Sequence, residues 1–193
     1  MREDAPRSFL PGPFSLWTGF IWGFAEATLF FVIPDVILTL VALFSIKQSL
    51  KVLVTILLGA ILGGALMFWM GEAHPAEAEA LVLHVPFISQ KMVAKTHQDF
   101  DQYGIWALVK GPAAGVPYKI YAVQASGYAR LPLFLLVTIL ARTERFVLSW
   151  AFFAILGTIF KRGIDRRPWA AVTAHLFIWT AIYAWYWVTV LKG

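Results

Sequence analysis

Phe24-Ala25-Glu26-Ala27-Thr28-Leu29-Phe30-Phe31-Val32-Ile33-Pro34-Asp35-Val36-Ile37-Leu38 is the stretch whose reading decides how this chain folds. Two carboxylates, Glu26 and Asp35, stand nine residues apart in a run from Phe14 to Phe44 that is otherwise almost wholly apolar, with Pro34 between them. Proline removes a backbone donor and clashes with the turn before it, so a helix entering this stretch ends ahead of Pro34 and another starts after it. A second apolar stretch, Gly104 to Tyr128, repeats the plan with the charge reversed. Lys110 and Lys119 are again nine residues apart and bracket Gly111, Pro112, Gly115 and Pro117. Both stretches read as broken helices, one acidic and one basic.

The 193 residues are 60% hydrophobic and include nine Trp and sixteen Phe, more apolar surface than one soluble core of this length encloses. The expected fold is therefore an all-α integral membrane protein: two opposed re-entrant helical hairpins, about three transmembrane helices and an interfacial helix. A span needs about 20 apolar residues. Residues 50–70 and 170–191 supply this without interruption, and 132–160 is a third span with internal charges. The first hairpin covers residues 14–46 and the second 104–128, with an extramembrane connection at 72–103, all within one membrane domain, 1–193. Residues 1–13 are polar and Pro-rich, and the long apolar run behind them carries Glu26, so a retained N-terminus is expected rather than a cleaved signal peptide.

If both hairpins return to the side they entered from, then Arg2, Arg7, Lys47, Lys51, Lys161, Arg162, Arg166 and Arg167 share one side. The positive-inside rule makes that side cytoplasmic. The other side receives Glu72, Glu77, Glu79, Asp99 and Asp101 against Lys91 and Lys95. The net charge of +5 is thus explained by orientation, and no nucleic-acid motif accompanies it. In the connection, Ser89 is a plausible N-cap for an interfacial helix ending at Tyr103. Gly59, Gly63 and Gly64 form a small-residue stripe for close helix packing. Trp169, Trp179, Trp185 and Trp187 read as lipid-contacting aromatics of the last helix.

Charges inside the apolar segments are the candidate functional residues: Glu26, Asp35, Lys110, Lys119, Arg142, Glu144 and Arg145. Arg142 lies about 15 Å along its helix from Pro132, near mid-depth, where the hairpin tips should meet it. Arg145 shares its face, whereas Glu144 is turned by roughly 200°. Seven unpaired charges at that depth would cost on the order of 20 kcal/mol, so they pair, hydrate or neutralise. Four are basic and three acidic, a surplus that suits an anion. Arg offers phosphate a planar fork and Lys a point charge.

Enzyme chemistry is not expected. Zero cysteines remove thiolate catalysis and sulfur-ligated metals. His97-x-Asp99-x-Asp101 reads as a solvated helix face, while His74, His84 and His175 are isolated. No P-loop, dinucleotide fingerprint or activated Ser is present, and no cofactor is implied.

Phe24-Ala25-Glu26-Ala27-Thr28 followed by Ile33-Pro34-Asp35-Val36-Ile37-Leu38 resembles the first hairpin of the DedA/VTT (SNARE-associated Golgi protein) membrane family, particularly its YqaA-type branch. Tyr103-Gly104, Lys110-Gly111, Val116-Pro117-Tyr118-Lys119, Ser126-Gly127 and Arg142-x-x-Arg145-Phe146 look like the second hairpin and following helix of that branch. Ala114-Gly115-Val116-Pro117-Tyr118-Lys119 stands where the branch usually has Thr-Pro-Ile-Pro-Tyr-Lys, with one residue more after Lys110. The resemblance implies a multi-pass protein of the bacterial inner membrane. It further implies a transporter, flippase or scramblase of a phosphate-bearing lipid, such as undecaprenyl phosphate or a phospholipid, with proton coupling in membrane homeostasis. Lys110, Lys119, Arg142 and Arg145 would bind the anionic head group; Glu26 and Asp35 would exchange protons or counter-ions. The partners expected are membrane lipids, a polyprenyl phosphate among them, and no nucleic acid. Two alternatives stay open, a small-ion or solute carrier using the same cavity and a non-transporting scaffold whose charges set helix packing.

Overall fold

A computed structural model describes residues 12–192; Arg2, Arg7 and the N-terminal segment expected to be retained lie outside them. The described residues form helices joined by short turns and loops, with no strand: α1 (Gly12–Thr28), α2 (Asp35–Phe44), α3 (Ile46–Ala73), α4 (Pro75–Leu83), α5 (Gln90–Tyr103), α6 (Ala107–Ala113), α7 (Tyr118–Gln124), α8 (Leu131–Ile159), α9 (Lys161–Arg166) and α10 (Pro168–Lys192). Short 3₁₀ turns at Gly104–Trp106 and Ala125–Gly127 flank α6 and α7. The helix starts follow local chemistry. Ser45 caps α3 by accepting from Gln48 N at 3.2 Å, and Ser89 caps α5 by accepting from Met92 N at 3.4 Å, as its sequence predicts. Pro75 and Pro132 sit in first turns, where a missing N–H is harmless.

Glycines let α1 and α3 run side by side. A Cβ on Gly59 would meet the Phe20 carbonyl oxygen, one on Gly63 the Phe24 carbonyl oxygen, and one on Gly23 the Ile56 backbone. Gly12 lies by Gln48 and Ala27 by Gly63, so the two helices are parallel. Since α1 and α3 point the same way, the chain between them has to come back, and α2 does so. It runs alongside α8, with Asp35 opposite Arg145 and Leu43 opposite Gly157. The bend at residues 29–34 lies beside the middle of α3, which at 28 residues is about 42 Å long.

The second broken stretch approaches from the opposite end. α6 leads inward, residues 114–117 turn the chain, and α7 leads back out, with Val123 packed on Gly71 near the end of α3. Gly115 has φ +90°, which its lack of a Cβ allows. Each broken stretch therefore forms a hairpin that ends where it began, and their tips meet midway along α3 and α8.

α8 runs antiparallel to α3, with Phe134 against Phe68 at one end and Trp150 Nε1 donating to Ser49 Oγ at 2.8 Å at the other. Lys47, Lys51, Lys161, Arg162, Arg166 and Arg167 consequently gather at one end, where α9 packs by the α2–α3 junction. Glu72, Glu77, Glu79, Asp99 and Asp101 lie at the other, on the end of α3 and on α4 and α5. Among the described residues one helix, Ile46–Ala73, is long and apolar enough to cross a membrane by length and composition. Of the two other expected spans, α8 is broken in character by Arg142, Glu144 and Arg145, and α10 is rich in Trp and Tyr.

Two expectations are corrected. Trp179 and Trp187 of α10 face inward. Trp179 is buried and donates to Thr39 Oγ1 at 3.1 Å, while Trp187 stacks on Phe87, leaving Trp169 and Trp185 exposed. Asp99 is not solvated either, because α7 covers it; it accepts from Tyr121 Oη at 2.5 Å and Lys95 Nζ at 3.0 Å.

Candidate functional site

The hairpin tips bring five charges together. Glu26, on the last turns of α1, pairs with Arg142 Nη2 of α8, and both side chains are almost fully buried. One turn nearer the basic end of α8, Arg145 Nη2 donates to Asp35 Oδ2 at 2.6 Å, and Ser149 Oγ donates to Asp35 Oδ1 at 2.6 Å. Lys119, the second residue of α7, reaches across to the other hairpin and donates from Nζ to the Phe30 carbonyl oxygen at 3.0 Å. Three cations thus face two carboxylates. Each arginine has an acid; Lys119, only 3% exposed, has a carbonyl dipole.

The Arg142 guanidinium lies over the rings of Tyr118 and Phe146, with its carbon 4.2 Å and 5.4 Å from their centroids. Tyr118 Oη is anchored on Thr138 Oγ1 at 2.9 Å. Among the described residues Nε and Nη1 of Arg142 are buried donors with no hydrogen-bond acceptor. Such donors are uncommon in native folds and mark a site with capacity for a further acceptor.

Above these charges lies a cavity of about 290 Å³. Glu26, Tyr118, Lys119 and Arg145 form its polar floor, and its walls are aromatic, chiefly Phe31, Trp179, Tyr183, Tyr186 and Trp187. α10 fastens both tips to this wall. Tyr183 Oη accepts from Ile33 N at 2.7 Å in the first tip, and Tyr186 Oη donates to the Gly115 carbonyl oxygen at 3.0 Å in the second. Loop residues 85–88, between α4 and α5, cover the side toward the acidic end. There Phe87 holds φ +69°, a left-handed conformation that costs a bulky residue about 1–3 kcal/mol.

Of the six residues expected to form the site, Glu26, Asp35, Lys119, Arg142 and Arg145 converge. Lys110 does not. It is exposed, and its Nζ sits 3.7 Å from the centroid of the Tyr103 ring, away from the tips. Glu144 is exposed, as its helical phase predicts. The residues that sequence reasoning passed over are aromatic. Tyr183, Tyr186 and Phe87 hold or close the cavity, and only the density of aromatics in the last helix hinted at them. Comparison with known protein families, curated proteins and solved structures finds no match for this chain.

Proposed function

We propose that the chain is a multi-pass protein of the bacterial inner membrane, built on the DedA/VTT plan it resembles, that moves a phosphate-bearing lipid between leaflets. The observation that carries this reading is Lys119, the surplus cation at the meeting of two hairpin tips, on the polar floor of an aromatic-walled cavity. A phosphate supplies the missing negative charge. The half-buried Arg145 lines the same cavity, whereas the acceptor-free donors of Arg142 belong to the charge cluster and not to the cavity lining. The aromatic walls suit the first carbons of a lipid chain, and large apolar side chains such as Leu58, Leu62, Leu148, Phe152 and Phe177 are exposed on the outward helix faces. Opposed broken helices with a central charged site are the plan of carriers that work by alternating access. With the basic end cytoplasmic, the cavity would open toward the opposite side.

In this reading Glu26 and Asp35 are first of all counter-ions of the arginines. Proton coupling then means that protonating an acid frees an arginine for the head group.

The test is transfer of a fluorescent prenyl phosphate and a fluorescent phospholipid across proteoliposome leaflets. We expect transfer by the parent protein, loss in Lys119→Met and strong impairment in Glu26→Gln. Absence of transfer by folded parent protein would overturn the reading. The scaffold alternative draws on one observation, that both arginines are already paired with acids of the first hairpin. Exchanging Glu26 and Arg142 would then restore both folding and function, whereas a transporter would regain folding alone.

A further inference from the structure

Three rings from three separate elements meet over the cavity. Phe87 of the α4–α5 loop stacks on Trp187 of α10, with centroids 4.7 Å apart and planes 12° apart. Phe31 of the first tip meets Phe87 at 5.9 Å and Trp187 at 6.0 Å. All three line the cavity that holds Lys119, and together they stand between its charged floor and the acidic end.

The three are not equally free to move. Phe31 belongs to a tip held by Tyr183 Oη at Ile33 N and by Trp22 Nε1, which donates to the Val32 carbonyl oxygen at 2.9 Å. Trp187 is part of a long helix. Phe87 sits on a short loop after Pro86, and among the described residues it is the one non-glycine residue with a positive φ. Its positive φ belongs to a turn, Val85–Ile88, in which Pro86 precedes it and Ile88 N donates to the Val85 carbonyl oxygen at 3.2 Å, so the backbone is held locally and the movable part is the side chain. Rotation of the ring about its side-chain bonds breaks its stack on Trp187 and leaves the turn intact.

We propose that Phe87 is a gate: clamped by Phe31 and Trp187 it narrows the approach to the cavity from the acidic end, and it swings out to let a ligand reach Lys119. The gate rests on the reading of this cavity as the ligand site, not on which ligand it takes.

The chain has no cysteine, so a single introduced thiol reports access without interference. Val116→Cys places one on the cavity wall. With a membrane-impermeant maleimide and protein in nanodiscs, Val116→Cys alone should label slowly. Adding Phe87→Ala or Trp187→Leu should raise the rate by about tenfold, the change that corresponds to roughly 1.4 kcal/mol. Adding Phe87→Tyr, which keeps the ring, should leave it slow. Equal rates in the parent background and in either opened variant, with cooperative melting intact, would overturn the gate. So would acceleration by Phe87→Tyr equal to that by Phe87→Ala. Trp187→Leu carries the test should Phe87→Ala fail to fold. The labelling requires no lipid cargo, so loss of lipid transfer with gated labelling intact counts against the proposed cargo alone.

Discussion

Lys119 and Glu26 are both buried charges on hairpin tips, yet the fold treats them differently. Glu26 neutralises Arg142, so removing it strands a guanidinium in the interior; Lys119 has no carboxylate to strand. Glu26→Gln should lower the unfolding free energy measured in detergent by about 3–5 kcal/mol. The double variant Glu26→Gln/Arg142→Gln should lose less than the sum of its single changes. Lys119→Met should change stability by no more than about 1 kcal/mol, because burial of a lone ammonium offsets its bond to the Phe30 carbonyl. A cation whose removal leaves the fold intact but abolishes anion transfer is a binding group. A loss of stability for Lys119→Met as large as that for Glu26→Gln would instead make it structural.

Among elements, the parallel α1–α3 pair depends on backbone contact at glycines. Gly59→Ala drives a methyl into the Phe20 carbonyl and should cost about 1–3 kcal/mol, whereas Gly163→Ala, with open space at its Cβ, should leave the melting midpoint unchanged. α5 is tied to the second hairpin by Tyr121 Oη on Asp99 at 2.5 Å. Tyr121→Phe leaves that carboxylate with Lys95 alone and should speed amide hydrogen exchange in α5 and α7 while sparing α1. The elements themselves were largely legible in the sequence. Pro34 and the Gly115-Val116-Pro117 run break helices by local sterics, Ser89 caps by local hydrogen bonding, and the glycine stripe at 59 and 63 packs internally as read. What needed the third dimension was partner choice. Lys110 and Lys119 look equivalent at the nine-residue spacing, but the turn at 114–117 resets the helical phase between them, so one faces the tips and the other Tyr103. Asp99 lies on a polar helix and is buried by a tyrosine from elsewhere, which no local pattern encodes. The left-handed φ of Phe87 carries no glycine or asparagine to announce it.

For the whole molecule, two hairpins that return to their own ends make a specific prediction about sides. Single cysteines at Lys47 and Arg162 should label from one face of a sealed vesicle, and those at Glu77, Gln102 and Gly127 from the other. Labelling of Gln102→Cys and Gly127→Cys from opposite faces would mean that the second broken stretch crosses. The same topology sets a schedule for making the protein. Glu26 is separated from Arg142 by 116 residues and Asp35 from Arg145 by 110. At about 5–20 residues per second, a ribosome delivers each arginine roughly 6–23 s after its acid. For that interval the first hairpin exists without its counter-ions. Its carboxylates wait unpaired, and the arrival of α8 is the event that seats them.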